Sequence, residues 1–215
     1  MTTFTFISDT HGLHDSINPP MADILIHSGD CTRYVDLEEL AELNKWFGKL
    51  PHKHKVLVPG NHDWVCPREP QQSRQICTNV HLLMNDTITI DGWKIYGSPW
   101  TPQFFNWAFM AERGPEMRML WSKIPNDTDI LVTHGPPHGR LDWGHYQNSS
   151  SGCEDLMARV KQVQPRLHVF GHMHADGGKA MEDRHTIYVN ASVCNDRYEP
   201  TNEIVTLELD KNGVT

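Results

Sequence analysis

The chain has 215 residues, 38% of them hydrophobic and 21% charged, enough for one sizeable core, and no apolar run approaches the roughly 20 residues of a membrane-spanning helix. A formal net charge of -8 speaks against a long polyanion as partner, because nonspecific nucleic-acid affinity comes from neutralising many phosphates with Lys and Arg; a small phosphorylated ligand stays open where a metal supplies positive charge. Five cysteines without a CxxC pair argue against a disulfide framework or a zinc ribbon, and no basic segment precedes the first apolar residues, so the expected compartment is the cytosol and the expected organisation one domain over 1–215.

Residues 3–8 alternate Thr and Phe as a strand does and run straight into Asp9-Thr10-His11-Gly12. Ile24-Leu25-Ile26 is a second apolar run, ending in His27-Ser28-Gly29-Asp30. Leu37, Leu40, Leu43 and Phe47 then recur at helical spacing behind Asp36, with Glu39 completing a capping box, which predicts an amphipathic helix over 36–47. Residues 55–58 predict a short buried strand that Pro59 and Gly60 stop abruptly, so Asn61, His62 and Asp63 are presented together at a strand end. Residues 64–79, of mixed polarity and with two prolines, read as loop and short helix. Strands are expected over 80–84, 87–90 and 93–96, the last two joined by Asp91-Gly92, a strong hairpin signal. The aromatic segment 100–121 runs into a helix expected over 116–122. Residues 129–132 form a buried-strand run ending in Thr133-His134-Gly135-Pro136-Pro137. A helix over 154–164, stopped by Pro165, leads to the run 167–170 and Gly171-His172-Met173-His174; strands over 186–189 and 204–209 follow.

Five apolar runs thus end in the same kind of residue: Asp9 and His11, Asp30, Asn61 and His62, His134, then His172 and His174. Ligand sites of α/β sheets lie beyond the carboxyl ends of the strands, so the fold alone can bring five such ends to one crevice. Carboxylate, imidazole and amide ligands without thiolate suit Mn, Fe, Zn or Mg. Seven candidates (Asp9, His11, Asp30, Asn61, His134, His172, His174) are too many for one ion that keeps a place for water; two ions roughly 3.5 to 4 Å apart, bridged by one carboxylate, would use them all. The other histidines and the cysteines are expected to be solvated or to serve the fold, with His27 and His138 lying close to motif residues. Trp64, Arg33 and Pro136-Pro137-His138 are candidates for a pocket wall.

The ordered set Asp9-x-His11, Gly29-Asp30, Gly60-Asn61-His62-Asp63, Thr133-His134 and Gly171-His172-Met173-His174 resembles the calcineurin-like metallophosphoesterase superfamily. Residues 133–137, 167–172, 189–192 and 199–202 are in addition similar to the small metallophosphoesterase-domain proteins known from brain and their bacterial relatives. The resemblance implies a four-layer α/β/β/α sandwich with a dimetal site at the strand ends. One ion would take Asp9, His11, Asp30 and His174 and the other Asp30, Asn61, His134 and His172, with Asp30 bridging. Some members of the narrower group carry glycine at the position of His172, and the histidine here implies that both metal positions fill. The implied activity is that of a phosphodiesterase on small diesters such as cyclic nucleotides, through in-line attack of a metal-bridging hydroxide. Mn or Fe is expected, with Zn as an option. Asn61 and His62 are expected at the substrate. His62 would act catalytically by protonating the leaving alkoxide, and Asp63 by orienting its imidazole. The competing readings are a DNA nuclease of the same superfamily, against which the absence of a basic groove counts, and a protein-binding scaffold of the same fold, against which the complete histidine set counts.

Overall fold

Side chains alternate between the two faces of a strand, and in a computed structural model, which describes residues 1–33, 36–144 and 148–211, that alternation sorts the apolar residues into three cores. In β1 (Thr2–Ile7), Phe4 and Phe6 enter one core and Ile7 another. Ile24 and Ile26 of β2 (Ile24–His27) join Phe4 and Phe6, while Leu25 joins Ile7. Helix α1 (Leu37–Lys49) follows, capped as expected by Asp36, whose carboxylate accepts the Glu39 N–H at 2.8 Å. It lays Leu40, Leu43 and Phe47 on the Ile7 and Leu25 face. Strand β3 (His54–Leu57) repeats the split with Val56 and Leu57. Helices α2 (Val65–Arg68) and α3 (Pro70–Ile76) and the short β4 (His81–Leu82) complete this half.

The second half begins with the hairpin β5 (Asp86–Ile90) and β6 (Trp93–Ser98), whose Asp91 and Gly92 have φ of 48° and 84°, the positive pair that the Asp-Gly signal predicts. Then come the paired β7 (Thr101–Pro102) and β8 (Met110–Ala111), α4 (Pro115–Trp121) and β9 (Ile130–Thr133). The small ladder of β10 (Trp143–Gly144) and β11 (Ser149–Ser150) precedes α5 (Glu154–Val163), β12 (Leu167–Phe170), β13 (Lys179–Glu182), β14 (Ile187–Asn190) and β15 (Thr206–Leu209).

Two sheets result, in the orders β15-β1-β2-β3-β4 and β13-β14-β12-β9-β6-β5. Their central strands are parallel, and only β15, β13 and β5 run against their neighbours. Phe4, Ile26, Val56, Val132, Val169 and Val189 fill the space between the sheets. Leu131, Phe170 and Tyr188 face outward to α4 and α5, as Ile7 and Leu25 face α1. The layers are therefore α/β/β/α, the architecture that the family resemblance implies. Parallel strands share one carboxyl edge, so β1, β2 and β3 end together on one sheet and β9, β12 and β14 on the other.

The expected strand at 80–84 is shorter because the Met84 N–H turns to the Asp86 carboxylate, at 3.1 Å, instead of extending the ladder. Strand β13, with mostly exposed side chains, has no apolar alternation to announce it. Among the described residues no helix is long and apolar enough to cross a membrane.

Candidate metal centre

At the end of β1 the backbone turns left-handed at Asp9 (φ 55°) and His11 (φ 43°), and at the end of β2 it does so at Asp30 (φ 52°). Non-glycine residues there cost on the order of 1–3 kcal/mol each and persist only where surroundings hold them. The two loops hold each other, with Asp9 N–H donating to Gly29 O at 2.8 Å and His11 N–H to Asp30 O at 2.9 Å. Both carboxylates are then aimed by N–H groups from elsewhere. Asp30 Oδ1 accepts His62 N–H at 2.7 Å; Asp9 Oδ2 accepts His172 N–H at 3.0 Å and the Ser192 hydroxyl at 2.7 Å. Two glycines allow the close approach. A Cβ on Gly60 would lie 2.3 Å from Asp30 Oδ1, and one on Gly171 would lie 2.1 Å from Asp9 Oδ2.

All seven expected ligands converge, with His62 beside them. Asp9, His11 and His174 form one group, His11, Asp30 and His62 a second, and Asp30, His134 and His172 a third, the ligand atoms of each lying within 4.8 Å of one another. Asn61 Oδ1 is 2.9 Å from His134 Nε2, which is 3.3 Å from Asp30 Oδ1. Backbone carbonyls set two of the imidazoles: Ser28 O is 2.9 Å from His134 Nδ1, and Asn195 O is 3.0 Å from His174 Nδ1. Each arrangement turns Nε2 toward the carboxylates, as outer partners of metal-ligating histidines do.

Charge follows the same pattern. Burial opposes ionisation of Asp9, but its hydrogen bond to His174 and the nearby imidazoles outweigh it and hold the carboxyl well below the usual range. Asp30 is likewise held low against burial, by His134, His62 and His11. His134 is pushed up to about 9, burial being overcome by Asp30 and then Asp9. His172 falls to about 3 through burial and the neighbouring His134.

The donor set fits divalent cations. His11 and His174 bring Nε2 atoms within 3.3 Å of each other, both facing Asp9 Oδ1, at 4.0 and 3.3 Å. A single proton can bridge only one such contact, whereas a cation meets every lone pair, and the oxygen and nitrogen donors without thiolate suit Mn, Fe, Zn or Mg.

The centre floors a cleft of about 420 Å³ lined by His11, Asp30, Asn61, His62, His172 and His174, with Phe104, Trp143 and Tyr198 on its walls. Of the expected wall residues Pro136 is there, while Trp64 lies under Arg68 and the Arg33 side chain is hydrogen-bonded to His11 O.

One expectation is corrected. Asp63 does not hold the His62 imidazole: its buried carboxylate accepts the N–H groups of Cys31, Thr32 and Gly60 and the Thr32 hydroxyl, at 2.7–3.3 Å, and so ties the Asn61 turn to the Asp30 loop. What lies on His62 is Trp107, with ring centroids 4.4 Å apart. Sequence reasoning also gave no role to Ser192 or Asn195, since a hydroxyl and a backbone carbonyl have no spacing pattern to find.

Residues 2–176 match the Calcineurin-like phosphoesterase family model. Human Metallophosphoesterase domain-containing protein 1 is 39% identical over 232 residues, covering 97% of this chain and 71% of that protein. A UPF0046 protein of Caenorhabditis elegans is 35% identical over 203 residues, covering 88% of this chain and 69% of that one. The crystal structure of phosphopantetheinyl hydrolase (PptH) from Mycobacterium tuberculosis shares the fold, with a TM-score of 0.63 at 17% identity over 99% of this chain and 98% of that one. With the family model spanning most of the chain and its motifs meeting at one cleft, the chain belongs to the calcineurin-like phosphoesterase family.

Proposed function

We propose that the chain hydrolyses small phosphodiesters, cyclic nucleotides among them, with two divalent cations held between the ends of its two sheets. The observation that carries this reading is the convergence of two buried carboxylates, an amide and four imidazoles at the floor of an open cleft. Asp9, His11 and His174 would hold one cation and Asn61, His134 and His172 the other. Asp30 is the one residue shared by a group containing His11 and the group of His134 and His172, which supports it as the bridge. When bound, such a pair supplies activation of water near neutral pH and offsets charge growing on the phosphoryl oxygens. Mn and Fe suit these ligands, as does Zn.

The chain's own residues do the rest. Asn61 and His62 line the cleft beside the carboxylates and so meet the substrate. His62, with Nε2 3.9 Å from Asp30 Oδ2, gives its proton to the departing alkoxide. Phe104, Trp143 and Tyr198 wall the cleft with apolar surface on which the organic part of a diester can lie. A small diester suits this cleft better than a DNA strand. Among the described lining residues Arg113 is the only arginine or lysine, and Glu154 and the carbonyls of Ser151 and Gly152 engage it. The volume also falls in the range of small-molecule sites.

The test is turnover of bis(p-nitrophenyl) phosphate, the 2′,3′- and 3′,5′-cyclic nucleotides, a phosphomonoester and single-stranded DNA by protein loaded with Mn. Hydrolysis of diesters but not of DNA is expected. Protein with two metals per chain that cleaved none of these esters would end the enzyme reading, and efficient DNA cleavage would replace it with the nuclease one.

A further inference from the structure

The segment between β7 and β8 contains no candidate ligand, yet it reaches the centre. Its ends are fastened, Thr101 N–H donating to Phe109 O at 2.9 Å and Gln103 N–H to Ala111 O at 2.8 Å. Between them, Ala108 N–H donates to the carbonyl of Asn61 at 3.1 Å, which anchors the segment to the turn that carries His62. The residue before that anchor, Trp107, lies across the imidazole with 31° between the planes and 4.4 Å between centroids. His11 meets the same imidazole edge-on, at 4.8 Å and 83°.

We propose that Trp107 is the positioning residue of His62, holding its imidazole in the one rotamer that presents it to the leaving oxygen. Rotation about χ2 of a histidine is broad unless a neighbour restricts it. Among the described residues no polar partner does so, because Asp63 is occupied by Cys31, Thr32 and Gly60, and Asp30 Oδ2, at 3.9 Å from Nε2, is beyond hydrogen-bond reach. A tilted indole face takes that place by van der Waals contact. Trp107 is half-buried and stands behind His62: the imidazole lines the cleft and the indole does not, so it acts through His62 and not on the substrate. Phe104 of the same segment differs, lining the cleft itself and meeting His172 edge-on at 5.6 Å.

This proposal rests on the phosphodiesterase reading, and its test separates the two. Wild type, Trp107→Ala and Trp107→Phe would be compared on a series of substituted phenyl phosphodiesters, from p-nitrophenyl, which leaves without a proton, to unsubstituted phenyl. Trp107→Ala should lower kcat by about tenfold on the poor leaving groups and leave the p-nitrophenyl ester and KM nearly unchanged, because misplacing the proton donor affects only esters that need it. Trp107→Phe, which keeps a flat face, should recover most of the loss. In zinc-loaded protein the His62 ring protons should also resonate upfield through the indole ring current and lose that shift in Trp107→Ala. Equal losses on all esters, no loss on any, or unshifted His62 protons in the wild type would overturn the assignment of Trp107. A wild type inactive on every ester would instead overturn the phosphodiesterase reading and the proposal with it.

Discussion

The two sheets meet at one cleft but bring different chemistry to it. The sheet of β1, β2 and β3 supplies both carboxylates, the amide and two imidazoles, and bends its backbone left-handed at Asp9, His11 and Asp30 to do so. The sheet of β9 and β12 supplies imidazoles only, and His172 (φ 68°) is its one left-handed ligand. Beneath the difference is a shared support. In the first sheet the buried His27 Nε2 contacts the Thr10 hydroxyl at 3.0 Å, and in the second the buried His168 Nε2 contacts the Thr133 hydroxyl at 2.8 Å. Each threonine immediately precedes a ligand histidine. Carboxylates and strain are thus concentrated on one side, imidazoles alone on the other, and the same prop stands behind both.

The largest effect that would sharpen this contrast is Asp30→Ala. Asp30 belongs to two of the three ligand groups and receives His62 N–H, so metal content and hydrolysis should vanish together; metal analysis beside an ester assay checks it. Gly60→Ala and Gly171→Ala test one side each. Their methyl groups would press on Asp30, backbone as well as carboxylate, and on Asp9 and Ser8, so each should shed metal, and retention of full metal content would break the account of the cradle. His62→Ala should keep the metals and lower turnover on poor leaving groups by roughly 10²-fold, the scale of a lost proton donor. His168→Gln removes one prop, and His27→Gln the other together with the acceptor of the Gly29 N–H, and each should weaken metal binding about tenfold, as outer partners commonly do.

The last effect concerns pH. His27 and His168 are buried and pushed down to about 3, by burial, while the unfolded chain titrates near the ordinary 6.5. Between those values the unfolded state binds more protons, so this share of stability is full above about 6.5 and is lost as pH falls toward 3. Urea midpoints of the apoprotein measured from pH 7 to 4 should show it, and His168→Gln should flatten it.

Much of this was legible in the residues. Short apolar runs that stop at Asp, Asn or His announced both the parallel strands and the ligands they carry, because strand burial and strand-end chemistry leave their mark on residue type. Asp36 and Glu39 announced α1 in the same way. The supports were not legible. Asp63 stands beside His62 in sequence, which suggested a dyad, but its oxygens find nearer donors in a loop some thirty residues away. Trp107 acts through a stacked face, and Asn195 through a main-chain oxygen, neither of which has a periodicity.

One pairing has a consequence for how the molecule comes into being. Thr2 is registered with Leu209, and Ser192 reaches Asp9, so the first strand and the first ligand depend on segments made almost two hundred residues later. While this chain emerges from a ribosome, β1 must wait with one edge open until β15 arrives, and such distant contacts form late. The nascent chain therefore gains its complete centre only after β14 has emerged, and a truncation ahead of β14 would leave Asp9 without the Ser192 hydroxyl.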